Sequence, residues 1–142
     1  MKKILFLLLA IVLASLLTAC GGTQETELTG EEKDAVLAYS EAMTENMMAG
    51  MKAGDYASFS KDFDQAMLNA MSQEAFGKFK QDYDGRLGAY VSHKVNRVMQ
   101  SQSGKFVAVV YDAAFEKDDA VSMRVVFRAD DPHQISGLWF NK

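Results

Sequence analysis

The C-terminal half of the chain alternates hydrophobic and polar residues with a period of two. In residues 105–128, two runs rich in β-branched and aromatic side chains flank the polar loop 116–119, and this pattern predicts an antiparallel hairpin. The apolar positions of the second run are Val121, Met123, Val125 and Phe127. Such spacing is typical of a strand with one buried side. Because an isolated hairpin is barely stable in water, other segments must add strands beside it and cover its apolar face.

The N-terminal half instead repeats its hydrophobic residues at helical spacing. Thr29 and Glu32 fit a capping box and predict the start of an amphipathic helix of about six turns that ends at Gly54. The apolar stripe of this helix includes Ser40 and several methionines, whereas the polar side includes Glu41 and Glu45.

Shorter elements follow this helix. Asp55 is predicted to cap a short turn, residues 62–71 are predicted to be partly helical, and a further helix is predicted between Ser72 and Gly88. Strands are then predicted at residues 90–100, 105–116, 120–129 and 134–141. This order predicts an α+β fold in which N-terminal helices pack on one face of a four-stranded antiparallel sheet.

The first 20 residues differ from the rest. Lys2 and Lys3 precede an uncharged apolar run, residues 4–17, and then Thr18-Ala19-Cys20. A basic head, a short apolar run and small residues before a cut site are typical of a secretory signal. Leu17-Thr18-Ala19-Cys20 resembles the lipobox of prokaryotic lipoproteins, in which the cysteine is diacylated and becomes the new N-terminus. An uncleaved membrane helix with an incidental cysteine is the alternative interpretation.

The lipobox divides the chain into three parts. We expect residues 1–19 to be a lipoprotein signal peptide, residues 20–29 to be the lipidated Cys20 and a flexible tether, and residues 30–142 to form a single α+β domain. The acyl chains would hold the protein on an extracytoplasmic surface, at the cell membrane or the outer membrane.

Charge and cysteine content narrow the range of partners. Removal of Lys2 and Lys3 leaves 13 of the 15 basic side chains against 19 acidic ones. This negative balance argues against nucleic acid and anionic lipid surfaces as partners. Because Cys20 is the only cysteine, we expect neither a disulfide nor a thiolate metal site.

Three segments carry a family resemblance: AGDYASFSKDFDQAM, SQEAFGKFKQDYDGRLGAY and HQISGLWF. With the preceding helix, they make residues 31–141 similar to the nuclear transport factor 2-like (cystatin-like) superfamily. More narrowly, the chain resembles a family of unknown function found in prokaryotic lipoproteins and secreted proteins, sometimes ahead of a hydrolase domain. The resemblance implies a cystatin-like cone with a pocket between helices and sheet. Enzymes, small-ligand binders and dimerisation modules share that fold, so the fold does not choose among them.

The sequence offers few groups for catalysis. It has two histidines, His93 and His133, and none of the HExxH, GxSxG, glycine-rich phosphate-loop or Cys/His patterns. An Asp–His pair would have to combine His93 with Asp62, Asp64 or Asp112. Methionines recur at i+4 from Met43 and could suggest copper, but methionine commonly fills cores. We therefore expect no enzyme activity, cofactor or metal.

His93 and Arg97 are the candidate ligand-binding residues. They share the more apolar face of the first long predicted strand. If that face lies against the helices, both side chains point into the pocket and a carboxylate-bearing or other anionic ligand would pair with them. A bulge that turns them into solvent, or an internal acidic partner, is the alternative.

The opposite face of the predicted sheet is also unusually apolar. A one-sided sheet normally shows water a more polar face, and a contiguous apolar patch usually marks an interface. We expect the domain to be a non-catalytic interaction module that forms a homodimer or docks to an envelope protein through this face. A small-ligand binder is the second hypothesis and a pocket enzyme the third. The predicted interface residues are Phe106, Val110, Val126, Leu138 and Phe140.

Overall fold

The structure, a computed structural model, describes residues 24–142. The predicted signal peptide and Cys20 lie outside the described residues. The described residues form four helices: α1 (Gly30–Ala53), α2 (Tyr56–Phe59), α3 (Gln65–Ala70) and α4 (Gln73–Leu87). The strands are β1 (Glu25–Glu27), β2 (Tyr90–Ser101), β3 (Phe106–Phe115), β4 (Asp118–Arg128) and β5 (Ile135–Asn141). Within this described part, none of the helices has the length and apolar character to cross a membrane.

The strands form one antiparallel meander in the order β1-β2-β3-β4-β5. The α+β class is confirmed, but the prediction of four strands was wrong because residues 25–27, expected to belong to the tether, pair with the end of β2. The next residue, Leu28, is buried, and its N–H donates to the carbonyl oxygen of Val98 at 2.8 Å. This edge strand is short and polar, so it carries no apolar period and is held through its backbone.

Local capping signals explain most helix ends. Asp55 and Ser72 accept hydrogen bonds from N–H groups in the first turns of α2 and α4. Gly54 ends α1 in the left-handed conformation at a φ of 71°. The capping box predicted at Thr29 was wrong, because the Thr29 side chain accepts no capping bond and the chain enters α1 through Gly30 at a φ of 56°.

The core lies between the helices and one face of the sheet, which we call the helix face. The buried side predicted for the second run of the hairpin is confirmed, and every hairpin residue on the helix face is at most 4% exposed. These residues are Val107, Val109, Tyr111, Ala113, Phe115, Val121, Met123, Val125 and Phe127. Methionines of α1 and phenylalanines of α2 and α4 pack against them. The other side of the sheet, which no helix of residues 24–142 covers, is called the open face.

Candidate functional site

A bulge in β2 separates the two predicted ligand-binding residues. The register of β2 against β3 shifts between Val95 and Arg97, which reverses the facing of every later side chain. The side chain of His93 is only 7% exposed and lies on the helix face. Arg97 is exposed and pairs with Val110 of the open face. The prediction that both point into one pocket was therefore wrong, and a single anion cannot bridge them.

The surroundings of His93 are already occupied and acidic. Its Nδ1 lies 2.6 Å from the Tyr90 hydroxyl oxygen and 3.9 Å from Oε2 of Glu45 on α1. Its ring and that of Tyr111 are T-shaped, with 4.7 Å between centroids and 71° between planes. A carboxylate of the protein thus stands where the predicted anionic ligand would bind, so an anionic ligand is not favoured there.

None of the aspartates considered as partners lies beside His93. Asp64 caps α3 by accepting from the Met67 N–H at 2.8 Å, and it also accepts from the Ser136 hydroxyl. Asp112 lies on the open face and accepts two bonds from the Asn96 amide, at 2.9 and 3.1 Å. The positions of these carboxylates offer no Asp–His pair.

A polar layer runs beneath α1 at this level. It consists of Ser40, Glu41, Thr44 and Glu45 on the helix with Tyr90, His93 and Tyr111 on the sheet. Within it, the Thr44 and Tyr111 hydroxyl oxygens are 3.1 Å apart. Ser40 Oγ and Glu41 Oε1 are buried without a hydrogen-bond partner among residues 24–142. Glu41 was predicted to lie on the polar side of the helix, but its Oε1 atom is buried.

Burial in the polar layer keeps its phenols protonated. Burial, reinforced by the charges of Glu45 and Glu41, raises the pKa of Tyr90 to about 12. The pKa of Tyr111 is also raised, chiefly by burial. Both hydroxyls can therefore act as hydrogen-bond donors throughout the neutral range. Since Tyr111, Ser40 and Thr44 are fully buried, the layer is packed with its own side chains.

The residue types considered as metal ligands form no metal centre in the described part of the chain. Met47 and Met51 are core residues with 1% and 3% exposure, and Met43 is half-buried against the core. Residues 24–142 contain no group of three or more His, Cys, Asp or Glu side chains that could hold a metal ion.

On the open face, the predicted interface is only partly present. Phe106 is 37% exposed and Val126 is half-buried, both on the open face as predicted. Val110 lies on that face but is 5% exposed. It pairs in register with Arg97 and Arg124, and long arginine stems shield neighbouring apolar surface. The prediction that Val110 is available to a partner was therefore wrong.

A second bulge redirects β5. The register of β4 against β5 shifts between Val126 and Phe127, so Leu138 and Phe140 lie on the helix face, where both pack against the core. The Phe140 ring lies 4.9 Å from that of Tyr83, centroid to centroid. Their prediction as interface residues was wrong, because the extra residue in β5 reverses the alternation.

The same bulge places Trp139, which the sequence reasoning missed, on the open face. It is 51% exposed, and its ring lies over Gly137, where an added Cβ would be 2.2 Å from a ring carbon. The isolated glycine inside a strand pattern was the available signal, because such glycines mark bulges and close approaches.

A groove lies between the first half of α1 and the end of the sheet, away from the polar layer. We call it the α1 groove. Its volume is about 290 Å³, and its lining residues are Leu28, Glu32, Ala35, Val36, Tyr39, Gln100, Val107, Ala129 and His133. One wall is formed by the stacked rings of Tyr39 and His133, with 3.9 Å between centroids and 9° between planes. The sequence placed His133 in a turn and gave no hint of this stack.

Comparison with known proteins identifies the family. A model of the family described as "Protein of unknown function (DUF3887)" matches residues 40–138, which is more than half of the chain. The chain belongs to the DUF3887 family. No curated protein and no solved structure matches it.

The DUF3887 match includes the polar layer but only part of the α1 groove. It begins at Ser40 and ends at Leu138, so it contains the whole polar layer and most of the open face. It excludes β1 and residues 28–39, which supply more than half of the α1 groove lining. The residues that the family model matches therefore include the polar layer, but they leave out the part of the groove lining that residues 28–39 supply. The description of the family names no function.

Proposed function

We propose that this DUF3887 chain is a lipid-anchored lipoprotein of the cell envelope whose domain is a non-catalytic interaction module. The lipobox-like Leu17-Thr18-Ala19-Cys20 supports the anchor. The helices on one face of a meander are consistent with a cystatin-like cone, which we propose as the finer fold assignment. The partner in this proposal is a second copy of the chain, bound through the open face.

The observation that carries the interface is the exposure of two aromatic side chains, Trp139 and Phe106, on the open face. With Val126 they form what we call the aromatic patch. Large aromatic side chains contribute disproportionately to binding when they enter an interface. The open face carries both signs of charge, with Arg97 and Glu27 exposed. A surface with both signs can pair with a copy of itself about a two-fold axis.

The oligomeric state tests this interface. Light scattering on residues 23–142, which include the whole described core, should show a dimer at micromolar to millimolar concentration. Trp139→Ser and Phe106→Glu should each shift the protein toward monomer. Val91→Glu is the matched control, since Val91 is also a strongly exposed strand residue at 55% but lies outside the patch. Because Trp139 is the only tryptophan, its emission should also move to shorter wavelength on association.

Two results would decide against this interface. A wild-type monomer across the whole range rejects homodimerisation, and docking to a different envelope protein would then be the remaining form of the proposal. Equal effects of Val91→Glu and Phe106→Glu would show that general surface polarity, and not the patch, controls association. Val110→Lys is unsuitable as a probe, because a buried lysine would unfold the sheet.

The anchor is tested separately. Cys20→Ser should abolish lipidation and release the protein from membranes into the aqueous phase of a detergent partition. Wild-type protein found unmodified in the aqueous phase would reject the lipoprotein assignment.

A further inference from the structure

We propose that the α1 groove binds a small organic cation that has an apolar or aromatic body. This inference goes beyond the interaction module, because the groove lies between α1 and the sheet and shares no residue with the aromatic patch. The proposal rests on the shape of the groove, on the apolar character of its floor and on the sign of the charge at its rim.

The floor of the groove suits an apolar group. Leu28 and Val36 come from the start of the helical layer and Val107 from β3, and all three are at least nine-tenths buried. The stacked rings of Tyr39 and His133 add a flat aromatic wall. Ligand pockets typically combine such an apolar lining with a few polar groups that fix orientation.

A small molecule matches the volume of the groove, which is about 290 Å³. Cavities that bind small ligands begin at roughly 300 Å³, so one aromatic ring with a short side chain is a suitable size.

The negative charge at the rim of the groove favours a cationic ligand. Glu32 is the only carboxylate among the lining residues of the described chain, and no lysine or arginine lines the groove. The nitrogens of His133 already face other acceptors, with Nδ1 3.3 Å from the Arg128 carbonyl oxygen and Nε2 3.5 Å from Asp131 Oδ1. An ammonium group beside Glu32 gains an ionic hydrogen bond, and the Gln100 carbonyl can accept another. A carboxylate ligand would lack this ion pair and would be repelled by Glu32.

The experiment compares three probes of one shape and different charge. These are 2-phenylethylammonium, neutral 2-phenylethanol and anionic phenylacetate. Titration calorimetry uses the full chain in phosphatidylcholine nanodiscs, with protein-free nanodiscs as the blank. For a ligand of this size we expect the ammonium probe to bind with a Kd of about 0.1 to 1 mM. The alcohol should bind more weakly, and the carboxylate should not bind measurably.

Two variants of the charge and two of the shape locate the site. Glu32→Gln should weaken the ammonium probe about fivefold and leave the alcohol unchanged. Glu31→Gln in the same first turn of α1, which does not line the groove, is its control. Ala35→Leu should fill the groove and abolish binding of both probes. Ala42→Leu, an equally exposed α1 position outside the groove, should have no effect.

The proposal is overturned if none of the probes binds at 10 mM, or if the carboxylate binds as well as the ammonium. It is also overturned if Glu31→Gln and Glu32→Gln have equal effects, or if Ala35→Leu leaves binding intact while circular dichroism shows an unchanged fold. A wild-type monomer in light scattering would reject the sheet interface without touching this result.

Discussion

Replacing Thr44 by valine should separate hydrogen bonding from packing in the polar layer. Valine has nearly the shape of threonine but lacks the hydroxyl that lies 3.1 Å from the Tyr111 hydroxyl. Tyr111 is fully buried, so its O–H would lose this partner without reaching water. Leaving a buried polar group unpaired costs about 1 to 3 kcal/mol. We therefore expect Thr44→Val to lower the free energy of unfolding by about 2 kcal/mol.

Urea unfolding followed by circular dichroism measures this effect, with two companion variants as controls. Thr44→Ser keeps the hydroxyl and should retain the larger part of the stability. Ser40→Ala removes a buried hydroxyl that has no partner among the described residues, so it should change stability by less than about 0.5 kcal/mol or raise it slightly. If Thr44→Val costs no more than Thr44→Ser, the hydrogen bond to Tyr111 contributes nothing and the reasoning is wrong.

Three further predictions concern other parts of the fold. Gly50→Ala should destabilise the protein by about 1 to 3 kcal/mol in urea melts, because the added Cβ would lie 2.3 Å from the Phe59 backbone nitrogen. Gly77→Ala in α4 is the control: its added Cβ would have no atom within 4 Å, so it should stabilise the protein by about 0.5 to 1 kcal/mol. The pKa of Tyr90 is raised to about 12, so its protonated hydroxyl favours the folded state below pH 10, and the free energy of unfolding should fall as the pH rises from 10 to 12. In Tyr90→Phe, alkaline unfolding should show a fall that is smaller by about 2 to 3 kcal/mol. Glu25→Gln removes the ion pair with Arg124 and should speed hydrogen exchange at the Leu28 amide roughly two- to fivefold, without changing exchange at β3 amides. Equal Leu28 exchange in the wild type and the variant would show that the ion pair does not hold β1.

The sequence predicted the class of the fold and the buried side of its central hairpin because both depend on regular periods. In β3 and β4, alternation continues without interruption from Val107 to Ala113 and from Val121 to Phe127, so one side of each strand is apolar throughout. The period fails at a bulge, where one extra residue exchanges the two faces. For this reason His93 was placed correctly and Arg97 was not.

The candidate sites were less predictable than the fold. The lining of the α1 groove comes from a buried link residue, one side of α1, the ends of two strands and the turn after β4. No local pattern connects Tyr39 with His133, which are brought together by tertiary packing alone. The polar layer also depends on how α1 is rotated above the sheet, because Glu41 and Thr44 have neighbours that helical spacing by itself does not specify.

The position of β1 connects the proposed anchor with both proposed sites. If Cys20 carries the lipid, four residues separate it from Glu25, and the five Cα–Cα steps between the two span at most about 18 Å. The α1 groove, whose wall includes Leu28, would then lie close to the bilayer surface, where amphiphilic cations accumulate. The aromatic patch extends to Trp139 on β5, the opposite edge of the sheet from β1. Four strand spacings of about 4.8 Å separate these edges, so Trp139 would remain accessible to a second copy anchored beside the first.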